Sequence, residues 1–355
     1  MESFLFQNKT KDNYNLIEGY TVQNTQTPLF IMALPQKLIL PANGGLRTLS
    51  YASSLEAEKD CLLLTQAMDQ KHRLYKTGFS GTKLVSNTAH PAWSKKLLFS
   101  CIATYLNQLQ GMAYTGCDAG TTQKDMEELR QLTPYILSGL GSNIDGSVAT
   151  AYGVLGSITA CLSTDKTPHV LVYGIGKVGQ ALCALLYQRG VQVDCFDVIS
   201  QKATIAGCKN ISHVSDPLKQ RYDLIAFCCT TDPINENIAK NIQARYLVGS
   251  TNGLFKANNV SSTLLKRSIL AIPSFVSSAG AVICDSIEQH QPSLFQHSLP
   301  EKIYSFVQET IHKKTQEVML WLENRINHAK LAKATTDMKL IEDNQSSTIC
   351  GQLLI

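Results

Sequence analysis

Short apolar runs separated by helical segments make up most of the second half of this chain. We predict strands at residues 170–173, 191–197, 222–229, 246–249 and 269–272. Residues 150–163 predict a helix that opens this part of the chain. Repeated strand–helix alternation is typical of a parallel sheet with right-handed crossovers. The pattern therefore predicts an α/β, doubly wound second domain.

The first half has a more mixed pattern. The apolar runs 28–34 and 37–40 predict strands, and the segment 41–47, which contains Gly44 and Gly45, is interpreted as a turn or as backbone that approaches something closely. Further on, residues 113–120 predict a strand that ends in a small-residue loop with one acid, Asp118.

Two amphipathic helices are expected in this first half. An S-x-x-E capping box at Ser53 begins the first helix, which we expect to end near Lys71. Its expected buried face consists of Leu55, Leu62, Leu63, Ala67 and Met68. The second helix presents Leu98, Ile102, Leu106 and Leu109 on one side.

A glycine- and serine-rich segment, residues 138–143, predicts the boundary between two domains. We assign residues 1–145 to the first domain and 146–320 to the second. Residues 301–333 have helical character. We expect the chain to return toward the first domain here, so that a C-terminal segment of about 320–355 belongs to that domain.

Between the first two strands of the second domain lies a glycine-rich turn, Gly174-Ile175-Gly176-Lys177-Val178-Gly179. A G-x-G-x-x-G sequence between a strand and a helix is the dinucleotide fingerprint, in which backbone N–H groups at the helix start face a pyrophosphate. The next strand ends in Asp197, about where a ribose-binding carboxylate is expected. The alternatives are glycines that only make a turn and an Asp197 that only caps the following turn.

Composition narrows the possibilities further. The chain has 355 residues, of which 44% are hydrophobic and 17% charged, so it is long enough for two cores. A net charge of +4 without a basic block does not indicate nucleic-acid binding. No apolar run approaches the ~20 residues that span a bilayer, and the start lacks the pattern of a signal peptide. We therefore expect a cytoplasmic protein without nucleic-acid or membrane partners.

Cysteine and histidine spacing does not predict a metal site. The eleven cysteines include no C-x-x-C pair, and the eight histidines include no H-x-x-x-H pair. Buried thiols in a reducing compartment are the simpler interpretation.

Four cations occur among residues 71–83, mixed with glycine and aromatic residues. Such a run is usually a solvated face. It could also bind a carboxylate, because lysine offers a point charge to an anion.

Several short motifs occur in order along the chain. They are G-G-x-R at Gly44, Gly45 and Arg47; M-x-x-K at Met68 and Lys71 with Lys83 twelve residues later; D-A-G-T-T from Asp118; and T-A-Y-G-V from Thr150. Together with the glycine fingerprint, they resemble the superfamily of glutamate, leucine, phenylalanine and valine dehydrogenases, and look most similar to leucine dehydrogenases. The resemblance implies an N-terminal α/β substrate and oligomerisation domain, a Rossmann-type domain, and an active site in the cleft between them.

The resemblance also implies roles for individual residues. Lys83 and Asp118 would be catalytic, Lys71 would hold the substrate α-carboxylate, and the other substrate-binding residues would be Asn43, Gly44, Gly45, Met68, Ser278 and Asp285. Residues implied to bind NAD are Thr150, Gly174, Gly176, Lys177, Val178, Gly179, Asp197 and Asn252. The expected reaction is NAD-dependent oxidative deamination of an L-amino acid to a 2-oxo acid and ammonia, in a homo-oligomer.

Some positions depart from the family pattern. Residues 80–82 read Ser-Gly-Thr where the family has three glycines, and Ser278 replaces an asparagine that orients the substrate. Asn43 and Asp285 stand at positions that face the substrate side chain, so we expect a polar or basic substrate, unless a one-residue shift turns Asp285 away. Two other interpretations stay open: a non-catalytic paralogue that binds ligands or partners, and another Rossmann oxidoreductase such as a 2-hydroxy acid dehydrogenase.

Overall fold

A computed structural model describes residues 3–89, 93–163, 167–230, 232–255 and 257–327. The described chain forms two compact units. The first unit contains the residues up to Ser142 together with Asp285–Gln296, and the second contains Asn143–Cys284 and the helical residues from His297 onward.

The first unit is built on one mixed sheet. Its strands are β1 (Phe4–Lys11), β2 (Tyr14–Thr21), β3 (Phe30–Pro35), β4 (Ala42–Leu49), β5 (Ser80–Gly81), β6 (Lys83–Asn87) and β7 (Ala113–Cys117). The spatial order is β1-β2-β3-β6-β4, and both β5 and β7 also pair with β4. The β1–β2, β2–β3 and β3–β6 pairs are antiparallel, whereas β4 runs parallel to β5, β6 and β7.

Helices cover both faces of this sheet. They are α1 (Ser54–Tyr75), α2 (Lys95–Gln108) and α3 (Gln123–Arg130). Because successive strand residues point to opposite faces, Phe30 and Met32 pack with α2 and α3, whereas Ile31 and Ala33 pack with α1. Strand β4 is therefore central, with neighbours on both edges and helices on both faces.

Residues 37–40 are not a strand, so that expectation was wrong. The segment around Gly44 and Gly45 is strand β4, so of its two interpretations the turn is wrong and the close backbone approach is confirmed. A Cβ on Gly44 would lie 1.8 Å from the Thr82 carbonyl oxygen, so the paired glycines let neighbouring backbone approach β4. Helix α1 starts as expected, with Ser53 accepting a hydrogen bond from Glu56 N. It continues to Tyr75, and the Leu55 and Leu63 side chains are exposed.

The second unit has a parallel six-stranded sheet, as predicted. Its strands are β8 (His169–Tyr173), β9 (Gln192–Phe196), β10 (Lys209–Asn210), β11 (Arg221–Phe227), β12 (Gln243–Gly249) and β13 (Leu270–Ala271), in the spatial order β10-β9-β8-β11-β12-β13. Strand order reverses at β8, because β9 pairs on one side and β11 on the other. Ligands of open α/β sheets bind at such a reversal.

The remaining helices are α4 (Gly146–Cys161), α5 (Lys177–Tyr187), α6 (Glu236–Asn241), α7 (Asn258–Lys266), α8 (Ser274–Ser277), α9 (Gly280–His290), α10 (Pro292–His297) and α11 (Pro300–Asn327). Helix α4 opens the second unit; its N-cap Asp145 accepts hydrogen bonds from Ser147 N and Val148 N. Among the described residues, no helix is both long and apolar enough to cross a membrane.

The C-terminal part differs from the expected arrangement. The segment that lies with the first unit is Asp285–Gln296, whereas the described part of the expected return, at the end of α11, belongs to the second unit. Helix α11 packs closely on α4, because a Cβ on Gly156 would lie 2.4 Å from the Gln308 carbonyl oxygen. Residues 328–355 lie outside the described residues.

Candidate active site in the first unit

Lys83 and Asp118 form an ion pair in the first unit. Lys83 begins β6, and Asp118 directly follows β7, so the two residues approach each other from strands on opposite edges of β4. Lys83 Nζ lies 2.8 Å from Asp118 Oδ2, and the Lys83 side chain is 6% exposed. The pairing joins the two residues for which a catalytic role is predicted.

Arg47 extends this ion pair into a network. Its Nε donates to Asp118 Oδ2 at 2.9 Å, and its Nη1 donates to Asp60 Oδ2 at 3.1 Å. The Tyr51 hydroxyl also donates to Asp60 Oδ2, at 2.6 Å. Arg47 belongs to the G-G-x-R motif, but no sequence pattern indicates that Asp60 and Tyr51 support it.

Asp118 is ionised in this setting. Burial alone would raise its pKa, but the Lys83 ammonium and the Arg47 guanidinium together hold the pKa well below its usual range. The carboxylate therefore keeps its charge at any physiological pH and fixes the position of the Lys83 ammonium.

Lys71 lies on the last turns of α1 and is buried, with 6% exposure. Burial, together with the charges of Lys83 and Arg47 and against the opposing effect of Asp118, lowers the pKa of Lys71 to about 8. Lys83 and burial therefore both disfavour the charged form of Lys71. An anion that came close to Lys71 would favour its charged form.

Gly45 of β4 leaves room for the ion pair, because it has no side chain. A Cβ at this position would lie 2.9 Å from Asp118 Cβ and 3.1 Å from Lys83 Nζ. Any side chain here would displace one of the two groups, so only glycine leaves the pair in place.

The altered loop before Lys83 retains its glycine where space is limiting. A Cβ on Gly81 would lie 2.2 Å from Asp69 N, and Gly81 N donates to Asp69 Oδ1 at 3.2 Å. Thr82 is buried, and its hydroxyl donates to the Ala33 carbonyl oxygen at 2.6 Å. The departure from three glycines is therefore accommodated by a hydrogen bond in the core.

Asn43 and Asp285, 242 residues apart, meet in the first unit. Asn43 Nδ2 donates to Asp285 Oδ2 at 2.8 Å. Burial raises the pKa of Asp285 to about 8, and Glu288 raises it too, whereas the bond from Asn43 and the charge of Lys83 lower it. Asn43 Oδ1 is buried and has no hydrogen-bond partner among the described residues. A buried amide oxygen without a partner is costly, and a donor from a ligand would satisfy it.

His72, beside Lys71 on α1, supports Asn43 from the other side. Its Nε2 lies 3.0 Å from the Asn43 carbonyl oxygen, and its Nδ1 lies 2.6 Å from Thr77 Oγ1. Burial lowers the pKa of His72 to about 4, so the ring is neutral. Because a carbonyl only accepts, the proton is on Nε2, and Nδ1 accepts from Thr77. No residue pattern around His72 indicates this role.

The glycine fingerprint lies in the second unit, between β8 and α5. Gly174 has φ +99°, which favours glycine, and a Cβ on Gly179 would lie 2.1 Å from the Gly174 carbonyl oxygen. A Cβ on Gly176 would meet no described protein atom within 4 Å. Gly176 is also the N-cap of α5, and no side chain caps the described helix start. An open glycine beside free N–H groups fits a dinucleotide pyrophosphate.

Asp197 follows β9 and contacts the same loop. Its Oδ2 accepts a hydrogen bond from Ile175 N at 2.8 Å, and its Oδ1 accepts one from Ile199 N at 2.8 Å. The bond from Ile199 N caps the turn that follows Asp197, which is the alternative role expected for this residue. Each carboxylate oxygen can accept a further bond, so the turn and a ribose hydroxyl are compatible partners.

The other residues with predicted roles are distributed over both units. Met68 lies on α1 in the first unit and is partly buried. In the second unit, Thr150 donates its hydroxyl to the Gly146 carbonyl oxygen and Ser278 donates to the Ser274 carbonyl oxygen. Lys177 and Val178 form the first turn of α5, and Asn252 lies in the loop after β12.

Comparisons with known proteins agree with this arrangement. A family model for glutamate/leucine/phenylalanine/valine dehydrogenase matches residues 196–346. The chain is 29% identical to phenylalanine dehydrogenase from Thermoactinomyces intermedius over 95% of this chain and 97% of that protein. It is 27% identical to leucine dehydrogenase from Bacillus subtilis (strain 168) over 80% of each.

The chain resembles the glutamate/leucine/phenylalanine/valine dehydrogenase superfamily. Solved structures of two amino-acid dehydrogenases share its fold. L-tryptophan dehydrogenase from Nostoc punctiforme has a TM-score of 0.63 at 23% identity, covering 85% of this chain and 93% of the other. The hetero-hexameric glutamate dehydrogenase from Thermus thermophilus has a TM-score of 0.68 at 16% identity, covering 96% and 88%. The divergent resemblance to this superfamily and the α/β fold with a Rossmann-type domain are thus confirmed.

Proposed function

We propose that this protein oxidatively deaminates an L-amino acid to a 2-oxo acid and ammonia, with NAD as the hydride acceptor. The similarity to leucine and phenylalanine dehydrogenases supports the broad class, an amino-acid dehydrogenase. The observation that carries the specific proposal is the group of Lys71, Lys83 and Asp118 in the first unit. Ionisable groups are costly to bury, and two buried lysines beside one carboxylate form a costly arrangement unless a substrate uses it.

Each residue of this group has a distinct task. Lys71 binds the substrate α-carboxylate, whose negative charge offsets the cost of burying the ammonium. Lys83 moves protons at the substrate nitrogen and at the water that attacks Cα, and Asp118 orients the Lys83 side chain. The nicotinamide cofactor, when bound, accepts the hydride from Cα.

The second unit holds the cofactor in this proposal. Gly176 admits the pyrophosphate to the first turn of α5, and Gly174 and Gly179 make that approach possible. Asp197 accepts hydrogen bonds from the adenosine ribose, which excludes a 2′-phosphate by charge repulsion and favours NAD over NADP. Thr150, Lys177, Val178 and Asn252 complete the proposed cofactor contacts.

The proposed substrate has a polar or basic side chain. Asn43 and Asp285 are linked by a hydrogen bond, and Asn43 Oδ1 is buried without a partner among the described residues. A substrate donor would satisfy that oxygen, and a cationic side chain would favour the ionised form of Asp285. Gly44, Gly45, Met68 and Ser278 complete the proposed substrate contacts. We also propose a homo-oligomer that works in the cytoplasm.

The test is the absorbance of reduced cofactor, with twenty amino acids supplied one at a time, NAD compared with NADP, and 2-hydroxy acids as controls. We expect turnover with NAD and a preference for polar or basic amino acids. Turnover restricted to leucine and valine would overturn the proposed polar or basic substrate but not the proposed amino-acid dehydrogenase activity. A preference for NADP would overturn the role of Asp197. No turnover with any amino acid would favour a non-catalytic paralogue, and turnover of 2-hydroxy acids a different oxidoreductase.

A further inference from the structure

Three cysteine thiols converge in the second unit. Cys183 lies on α5, Cys195 lies on β9, and Cys208 lies just before β10. Their three Sγ atoms all lie within 4.8 Å of one another, and the Sγ atoms of Cys183 and Cys195 are 3.4 Å apart. Cys183 and Cys195 are fully buried, whereas Cys208 is partly exposed. We call this group the thiol cluster.

The fold rather than a local motif assembles the thiol cluster. Cys195 lies 12 residues after Cys183, and Cys208 lies 25 residues after Cys183, so the spacing matches no C-x-x-C pattern. Strand β10 pairs in parallel with β9, with Asn210 opposite Cys195, which brings Cys208 beside that strand. Helix α5 connects β8 to β9 and packs against both strands, which places Cys183 over Cys195.

Short contacts already join the three thiols. Cys183 Sγ and Cys195 Sγ lie 3.4 Å apart, and Cys208 Sγ lies 3.9 Å from the Cys183 carbonyl oxygen. The three sulfur atoms are therefore close enough to bind one cation together.

We propose that the thiol cluster is a binding site for a soft, thiophilic cation, and that Cu(I) is the ion it fits best. Soft thiolate ligands select Cu(I), zinc and iron–sulfur clusters. Structural zinc sites are almost always four-coordinate, and no fourth histidine, cysteine or carboxylate joins the group in the described part of the chain. Cu(I) accepts three sulfur ligands in a trigonal arrangement.

Binding at the thiol cluster involves no change of oxidation state. Each thiol that becomes a ligand forms a copper–sulfur bond and gives its proton to solvent, and Cu(I) stays Cu(I). The bound ion would cross-link α5, which starts at the fingerprint glycines, to β9, which leads to Asp197. Because the site does not form in the unfolded chain, binding adds to folding stability.

Cys208→Ser is the deciding variant, because Cys208 is the partly exposed member and its replacement leaves the core unchanged. Cys229→Ser is the matched control, since Cys229 is also partly buried in the second unit. Both variants and the full wild-type chain are reduced anaerobically and titrated with Cu(I) against a chromogenic Cu(I) chelator. Thermal unfolding and the copper X-ray absorption spectrum are then recorded for the loaded proteins.

We expect the wild type and Cys229→Ser to retain one Cu(I) per chain, to show a shell of three sulfur atoms, and to unfold at a higher temperature when loaded. Cys208→Ser should lose at least tenfold in Cu(I) affinity and show no rise in unfolding temperature. Equal Cu(I) retention by Cys208→Ser and wild type would overturn the proposal. A copper shell of two sulfur atoms would also overturn the proposal. Failure of the wild type to retain Cu(I) would overturn it too, and would mean that the thiols act only as small apolar core residues.

Discussion

Lys83 Nζ and Arg47 Nε both bind the same oxygen of Asp118, at 2.8 and 2.9 Å. Two cations on one carboxylate oxygen hold Lys83 in one position, and Gly45 leaves the space that this geometry needs. A proton-transferring group must lie within hydrogen-bond reach of its target, so this fixed position is what the proposed chemistry requires of Lys83.

Removing the Lys83 amine should remove turnover but not cofactor binding. We expect Lys83→Ala to lower kcat by about 10²–10⁴-fold, which is the usual contribution of a positioned acid or base. Steady-state kinetics with NAD and the best amino acid measure the loss, and fluorescence titration measures NAD affinity. Lys76→Gly is the control, because Lys76 belongs to the same basic loop, has φ +47°, and can be replaced by glycine without strain. Comparable turnover by Lys83→Ala and the control would exclude Lys83 as the proton-transferring group.

Replacing Lys71 by methionine should stabilise the protein while preventing substrate binding. The folded-state pKa of about 8 lies below the ordinary value of 10.5, so the folded protein binds fewer protons than the unfolded chain between those pH values. The cost of the buried charge is therefore fully present below pH 8 and disappears toward pH 10.5. We expect Lys71→Met to raise the free energy of unfolding at pH 7 by on the order of 2–3 kcal/mol.

Urea unfolding of wild type and Lys71→Met at pH 7 and pH 10 measures this effect. The increase in the free energy of unfolding of Lys71→Met over wild type should be smaller at pH 10, because the wild-type Lys71 is then neutral in the folded state. A gain of the same size at both pH values would mean that packing, rather than charge, is responsible.

Asp285 should give the opposite pH dependence. Its folded-state pKa of about 8 lies above the ordinary 3.8, so its contribution to stability is present below pH 4 and is lost as the pH rises through 8. We expect Asp285→Asn to be more stable than wild type at pH 9, by on the order of 2 kcal/mol after allowance for partial exposure, and equal to it at pH 4.

Denaturant unfolding at pH 4 and pH 9 tests the Asp285 prediction. Asp216→Asn is the control, because Asp216 is exposed and paired with Lys219 at the surface; it should change stability by less than about 0.5 kcal/mol at pH 9. If Asp285→Asn were as stable as wild type at pH 9, the carboxyl group would not be held in a costly buried position.

Two fingerprint glycines should respond differently to alanine. Gly176→Ala has open space for its methyl group and should leave stability within about 0.5 kcal/mol of wild type, while weakening NAD binding at least tenfold. Gly179→Ala would place a methyl group 2.1 Å from the Gly174 carbonyl oxygen, so it should lower stability by about 1–3 kcal/mol. Thermal unfolding and NAD titration of both variants separate the two effects. Unchanged NAD affinity in Gly176→Ala would argue against a pyrophosphate at this glycine.

Residue pattern alone was enough to predict the parallel sheet of the second unit and its glycine-rich turn. Buried parallel strands have continuous apolar sequences, and the helices between them produce a clear alternation of strand and helix patterns. The local residue pattern was therefore sufficient to predict this sheet. The roles of Lys71, Lys83 and Asp118 were implied by a resemblance, because each residue lies in a short motif similar to one of the dehydrogenase superfamily.

Features that join distant parts of the chain became visible in the folded structure and not in the residue pattern. The sequence left the segment around Gly44 and Gly45 open between a turn and a close backbone approach. The structure shows a strand, β4, whose missing side chains admit the Thr82 and Asp118 segments. The Asn43–Asp285 bond joins residues 242 positions apart, and the thiol cluster joins a helix, a strand and a loop. Such contacts depend on how strands pair and helices cover them, and local residue pattern does not encode that pairing.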